Sequence, residues 1–191
     1  MPVLILGLVL FLGPHSLHLL APGWRERTIA RIGLNAWKGI HSVASIIGLV
    51  VLIWGFSLAR HNPVPLYVPA RALVHANALF TLVAFVLFVA AYTPNHFKAW
   101  LGHPMLAGVI VWSLGHLLAT GMRRDVVLFG AFLLWGLVDF IASRARDRRN
   151  GTLYPRPTAS GTAIAVVVGA AAWAIFAFWL HARWIGVNPF A

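Results

Sequence analysis

The chain contains six apolar runs, each close to the length that an α-helix needs to cross a lipid bilayer. At 1.5 Å per residue, about 20 residues span the ~30 Å hydrocarbon core. We therefore predict transmembrane helices over residues 2–20, 36–58, 72–92, 103–121, 125–142 and 163–184. The longest segment between two runs, from Ser143 to Thr162, is predicted to be a loop.

The composition agrees with a membrane location. Of the 191 residues, 60% are hydrophobic and only 10% are charged, whereas a soluble domain is typically about 25% charged. So few charges cannot cover a globule in water, and the outer surface must face lipid. The predicted fold class is an all-α, polytopic transmembrane helical bundle that forms one domain over residues 1–191.

The charge is strongly basic, with 15 Lys and Arg against four acids and a net charge of +11. In a soluble protein this balance would indicate nucleic-acid binding. Here the basic residues sit in short loops between apolar runs, where the positive-inside rule and anionic lipid explain them. We therefore predict a membrane lipid partner and no nucleic-acid partner.

The basic residues also predict an orientation, because Lys and Arg concentrate on the cytoplasmic side of a membrane. Ten of them fall in or beside the first, third and fifth loops, and five fall on the opposite side. The ten are Arg25, Arg27, Arg31, Lys38, Lys98, Arg144, Arg146, Arg148, Arg149 and Arg156. Both termini are therefore predicted to be non-cytoplasmic.

Histidine is the residue type that most needs a functional explanation. Six of the nine histidines lie within or at the ends of the predicted spans, namely His15, His18, His41, His75, His103 and His116. Ionisable side chains in hydrocarbon are costly and usually face a bundle interior or cavity, which favours a functional role. The alternative is that neutral imidazoles merely form hydrogen bonds between helices.

Several chemistries are excluded by the residues that are missing. The chain has no cysteine, no His-Glu-x-x-His motif and no Gly-x-Ser-x-Gly motif, so thiolate sites, zincin-type hydrolysis and serine hydrolysis lack their residues. Only one acid, Asp139, lies in the interior of a span, where structural pairing with Arg144 or a histidine is expected. Neutral imidazoles in an apolar bundle instead suit a haem held by histidines of different helices.

Local patterns favour His116 as one ligand, and on the first helix His15 and His18 lie one turn apart and can face the same interior. Gly108 and Gly115 share one helix face, and we predict that this bare face lets a flat macrocycle lie close to the backbone before His116. His75 is the first reserve ligand, because it matches His116 in depth.

A separate stripe of small residues in the last span predicts helix packing. Gly161, Ala165 and Gly169 recur every four residues, which allows another helix to approach closely.

The motifs around these histidines resemble the NnrU family over nearly the whole chain. The matching segments are residues 13–17 (Gly-Pro-His-Ser-Leu), 37–42 (Trp-Lys-Gly-Ile-His-Ser), 103–105, 113–121 and 181–187. This resemblance implies a multi-pass protein of the bacterial inner membrane. It also implies a role in denitrification, in the expression of active nitrite and nitric oxide reductases.

A more distant resemblance is to the 15-cis-ζ-carotene isomerase, an integral membrane protein that uses haem b. Carried over by motif, its axial histidines fall on His15 and His116, and its His-Pro pair falls on His103. His75 aligns loosely with a further histidine of the isomerase. Ser113 replaces a cysteine of the isomerase, so this resemblance implies haem without the isomerase's change of iron ligation.

Three functional hypotheses follow from the sequence. The first is a haem b-binding protein that supports denitrification, with a reductase or an assembly factor as partner. The second is a haem-dependent isomerase or oxidoreductase acting on a lipid-soluble small molecule such as a carotenoid. The third is a cofactor-free assembly or scaffold protein, and the sequence alone leaves open whether the chain is an enzyme. His41, His18 and His103 are further reserve ligands under the first two hypotheses.

Overall fold

The computed structural model describes residues 1–190, and these residues form helices and connecting segments without a β-strand. The helices are α1 (Pro2–Leu20), α2 (Pro22–Ile32), α3 (Leu34–Arg60), α4 (Arg71–Ala90), α5 (His96–Leu101), α6 (Pro104–Ala119), α7 (Arg123–Asn150), α8 (Ala159–Ile175) and α9 (His181–Ile185). One π-helical turn, Phe176–Leu180, joins α8 to α9 without a break in the chain direction.

The helices have the character of a membrane bundle, which confirms the predicted fold class. Five of them are long and apolar enough to cross a membrane, namely α1, α3, α4, α7 and the run from α8 to α9. The outward face of α3 is apolar, with Ile46, Val50 and Ile53 each about 60% exposed. Such a surface is covered by lipid rather than by water.

The fourth predicted span, residues 103–121, is the short helix α6, which has 16 residues. At 1.5 Å per residue it is about 24 Å long, which is less than the ~30 Å hydrocarbon core. The number of membrane crossings therefore stays a prediction, with five long helices and one shorter apolar helix as its candidates.

The prediction of a loop from Ser143 to Thr162 is wrong. Helix α7 continues to Asn150 and α8 begins at Ala159, so only residues 151–158 lack helix. Arginine is a good helix former, and the Arg-rich extension therefore continues α7 beyond its apolar part. Gly151, at φ 60°, follows the end of α7, and the Thr158 side chain caps α8 by accepting from Gly161 N at 3.0 Å.

The first connecting segment holds a helix that the apolar pattern did not predict. Helix α2 begins with Pro22 at its first position and is followed by Gly33 at φ 83°, a conformation that favours glycine. None of its residues is buried. The sequence of α2 is amphipathic and basic, a type of helix that lies along a membrane surface.

The chain divides into two compact units. Unit one contains residues 1–66 and 122–131, and unit two contains residues 67–121 and the chain from residue 132 onward. The predicted single domain stays a prediction.

Unit one is built on close backbone contact between α1 and α3. A Cβ atom added to Gly7 would lie 2.4 Å from Leu52 Cα, and one added to Gly55 would lie 2.4 Å from Leu4 N. Leu4 is fully buried. Only glycine permits this spacing, so these positions fix how α1 and α3 pack.

Unit two packs α6 and α8 against α4, and here the predicted small-residue stripe is confirmed. Gly161, Ala165 and Gly169 are the buried residues of α8. A Cβ atom on Gly169 would lie 2.6 Å from Val86 Cα of α4. The stripe therefore brings α8 into backbone contact with α4, as small residues do in membrane helix pairs.

Candidate functional site

In unit one, two of the six candidate histidines lie in ring contact. The imidazoles of His15 in α1 and His41 in α3 have centroids 5.0 Å apart and planes at 70°, an edge-to-face arrangement. His15 also lies against the Phe11 ring, with centroids 4.6 Å apart. No pattern in the sequence indicated this pair, because the contact depends on how α1 and α3 pack.

The tautomer of His15 follows from its hydrogen bond. His15 Nδ1 lies 2.7 Å from the Phe11 carbonyl oxygen, which only accepts, so Nδ1 carries the proton. In the neutral ring the lone pair is then on Nε2, the atom that metal-ligating histidines commonly use when Nδ1–H is bonded to a carbonyl.

His41 is positioned beside His15 by its own neighbours. Ser45 Oγ lies 3.5 Å from His41 Nδ1 and donates to the His41 carbonyl at 2.7 Å. The His41 imidazole also interacts with the Pro14 carbonyl. His41 stays a predicted reserve ligand.

In unit two, His116 has the same local arrangement as His15. Its Nδ1 lies 2.8 Å from the Trp112 carbonyl oxygen, one turn back in α6. The lone pair of the neutral ring is therefore on Nε2 here as well. The rings of His116 and Trp112 have centroids 5.1 Å apart.

The face of α6 that carries His116 packs against α7 near residues 132–136. Trp112 contacts Phe132 edge-to-face, with ring centroids 5.6 Å apart. A Cβ atom on Gly136 would lie 3.6 Å from Val109 Cγ1. Val109 and Trp112, which lie on the same face of α6 as His116, thus have apolar and aromatic neighbours in α7.

The prediction that a macrocycle lies on the bare glycine face of α6 is wrong. A Cβ atom on Gly108 would lie 2.7 Å from the Phe88 ring, and one on Gly115 would lie 2.4 Å from Asn77 Oδ1. Both neighbours belong to α4. The glycines are bare because α4 packs closely against them, and their face is filled by protein.

Two reserve ligands have surroundings that differ from those of His15 and His116. His75 is exposed near the start of α4. His18 is half-buried and close enough to His41 for an electrostatic interaction.

The remaining reserve ligand, His103, belongs to a polar network at the end of α7. His103 Nε2 donates to Asp147 Oδ2 at 2.8 Å, and the Tyr154 hydroxyl donates to the same oxygen. Arg144 Nη1 in turn donates to Tyr154 Oη at 3.2 Å. Burial, followed by the hydrogen bond to Asp147, raises the pKa of Tyr154 above its ordinary value of about 10. No motif in the sequence indicated this network.

Buried polar groups also line the helix contacts of α6 and α7. Ser113 is fully buried in α6, and its Oγ has no hydrogen-bond partner among residues 1–190. Asp139 is 3% exposed and accepts from Ser143 Oγ at 3.0 Å. Arg144, one of the partners expected for Asp139, donates to Tyr154.

Clusters of three or more His, Cys, Asp or Glu that could hold a metal ion do not occur in the described part of the chain. A site that needs several protein ligands, such as structural zinc, therefore lacks its donors. A haem iron needs at most two axial side chains, and His15 and His116 each have the donor chemistry for one.

Apolar helices of membrane-spanning length define the chain as a helical integral membrane protein. Comparison with protein families identifies it further, since residues 3–189 match the family described as NnrU protein. The chain belongs to the NnrU family, as its motifs predicted. No curated protein and no solved structure matches it. The resemblance to the carotene isomerase stays a prediction.

Proposed function

We propose that this chain is a haem b-binding protein of the bacterial inner membrane that supports denitrification, through the expression or assembly of nitrite and nitric oxide reductases. Its membership of the NnrU family supports the denitrification role. The hydrogen bonds of His15 and His116 to the carbonyls one turn back support the haem.

His15 and His116 are the proposed axial ligands. Each ring has its Nδ1 proton engaged by a backbone carbonyl, which fixes the rotation of the ring and leaves the basic lone pair on Nε2. Haem held by two histidines supplies one-electron transfer at the iron. The residues of this chain orient the imidazoles and surround them with aromatic rings, namely Phe11 beside His15 and Trp112 beside His116.

The proposed orientation places both termini outside the cytoplasm. The two most Arg-rich helical segments, α2 and the end of α7, follow the first and fifth predicted spans. Loops of odd number are then cytoplasmic under the positive-inside rule. Cysteine scanning with an impermeant thiol reagent tests this, because the native chain has no cysteine to interfere. Labelling of a cysteine at Asn150 from the periplasmic side would contradict it.

Optical spectra of the detergent-purified, haem-supplemented full chain test the cofactor. We expect a Soret band and split α/β bands on reduction, lost in His15→Ala and in His116→Ala. His61→Ala, in the exposed segment after α3, is the matched control and keeps the spectrum.

A colourless native chain would end the haem proposal and leave the scaffold hypothesis. The denitrification role is tested separately, by nitrite reductase activity in cells that lack the chain and are complemented with native or His116→Ala protein. Full activity without the chain would overturn that role whatever the spectrum shows.

A further inference from the structure

An arginine-lined depression lies in unit two, where α7 ends and the chain turns toward α8. It is formed by Arg144, Asp147, Arg148 and residues 151–154, with a volume of about 300 Å³. We propose that this depression binds the phosphate of an anionic phospholipid headgroup, with the guanidinium groups of Arg144 and Arg148 as its ligands.

Arg144 is held in place before any ligand arrives. Its guanidinium carbon lies 5.7 Å from the centroid of the Tyr154 ring, and its Nη1 donates to Tyr154 Oη. One turn further along α7, Arg148 lies on the same side of the helix. A guanidinium presents several donors that match phosphate oxygens, and one already fixed loses less entropy on binding.

The acid in the depression is already engaged by other groups. Both hydrogen bonds that the Asp147 side chain accepts come from Tyr154 and His103, and this side chain is 14% exposed. The hydrogen bond from Tyr154 holds the pKa of the Asp147 carboxyl below its ordinary value, so this group stays ionised and the two arginines leave the depression with a net positive charge. The carbonyl end of α7 opposes an anion through the helix dipole, so the two guanidiniums must supply the attraction.

The depth of Arg144 fits a headgroup, and Arg148 lies at the outer edge of the headgroup layer. The apolar part of α7 ends near Ala142, so at 1.5 Å per residue Arg144 and Arg148 lie roughly 3 and 9 Å beyond it. The headgroup layer is roughly 5–8 Å thick on each side of the hydrocarbon. Leu153, also part of the depression, is 93% exposed. An exposed leucine beside two arginines suits a ligand with both a phosphate and an acyl chain.

Native mass spectrometry of the detergent-purified full chain, titrated with lipid, tests the proposal. We expect phosphatidylglycerol to bind at least about tenfold more tightly than phosphatidylcholine. Removing both arginines in Arg144→Gln/Arg148→Gln should abolish this preference, since charge-assisted hydrogen bonds are the strong ones. The matched control, Arg149→Gln/Arg156→Gln, removes the same charge outside the depression and should keep the preference within about twofold.

Two further measurements distinguish a bound lipid from a bound free phosphate. Leu153→Ser should weaken phosphatidylglycerol binding while leaving the melting temperature unchanged, because this side chain packs on nothing. Inorganic phosphate at millimolar concentration should fail to displace the lipid. If both double variants lose the preference for phosphatidylglycerol equally, the attraction is diffuse and the proposal is overturned. If inorganic phosphate displaces the lipid completely, the lipid is not the ligand.

Discussion

Replacing Gly48 by alanine tests whether glycine contacts position the helices that carry His15 and His41. A Cβ atom on Gly48 would lie 2.6 Å from Leu10 C and from Phe11 N in α1. Carbon atoms in contact normally lie about 3.5–4.0 Å apart, so α1 must shift by about 1 Å. Both contacts are with backbone, which cannot rotate away as a side chain can.

The expected change in the free energy of unfolding of Gly48→Ala follows from two opposing effects. Replacing glycine by alanine inside a helix stabilises it by up to about 1 kcal/mol, whereas overpacking typically costs about 1–3 kcal/mol. Gly39→Ala is the matched control, because Gly39 is also in α3 and a Cβ there meets nothing within 4 Å. We therefore expect Gly48→Ala to be less stable than Gly39→Ala by about 1–3 kcal/mol.

Thermal unfolding of the detergent-solubilised variants, followed by far-UV circular dichroism, measures this difference. For a chain of this size about 1 kcal/mol corresponds to about 2–4 °C, so the two melting temperatures should differ by roughly 2–12 °C. If Gly48→Ala melts at or above the temperature of Gly39→Ala, α1 and α3 do not pack through this glycine.

Three further predictions concern unit two. Ser113→Ala should leave the melting temperature unchanged or raise it, because the buried Ser113 Oγ has no partner to lose among residues 1–190; a clear fall would show an essential hydroxyl. Gly102→Ala should destabilise the chain by at least about 1 kcal/mol in the same assay, since Gly102 has φ 75° and a Cβ there would overlap Tyr154 Oη. The raised pKa of Tyr154 means that its hydrogen bond to Asp147 contributes fully below pH ~10 and is lost as the pH rises through the raised value. The difference in melting temperature between the native chain and Tyr154→Phe should therefore be constant near neutral pH and fall above pH ~10. A difference that stays constant above pH ~10 would contradict this.

Much of the helical architecture could be predicted from the sequence because hydrophobicity is a local property. The apolar runs gave the positions of α1, α3, α4 and α6 within a few residues. The end of α7 was missed, because arginines that leave the hydrocarbon also favour helix. The start of α8 was missed, because its first residues, 159–162, are too small and polar to belong to an apolar run. Helix α2 was missed because an amphipathic surface helix is too polar to stand out as an apolar run.

The candidate site was only partly predictable. The family motifs singled out His15 and His116 among nine histidines, and the structure gives both the same hydrogen bond to the carbonyl one turn back. The prediction that a macrocycle lies against Gly108 and Gly115 was wrong, because a helix face without side chains can pack equally well against a macrocycle or a neighbouring helix. The small-residue stripe of α8 was interpreted correctly, since only packing was predicted from it.

By itself, the sequence determined that this protein is a helical membrane protein, where its apolar helices lie and which family it belongs to. Each of these properties depends on residues close together in the chain. The tertiary structure decided which helix covers each glycine face, that His41 contacts His15, and that Asp147 is shared by His103 and Tyr154. Those contacts join residues far apart in sequence, and they depend on the crossing of packed helices, which the apolar pattern does not specify.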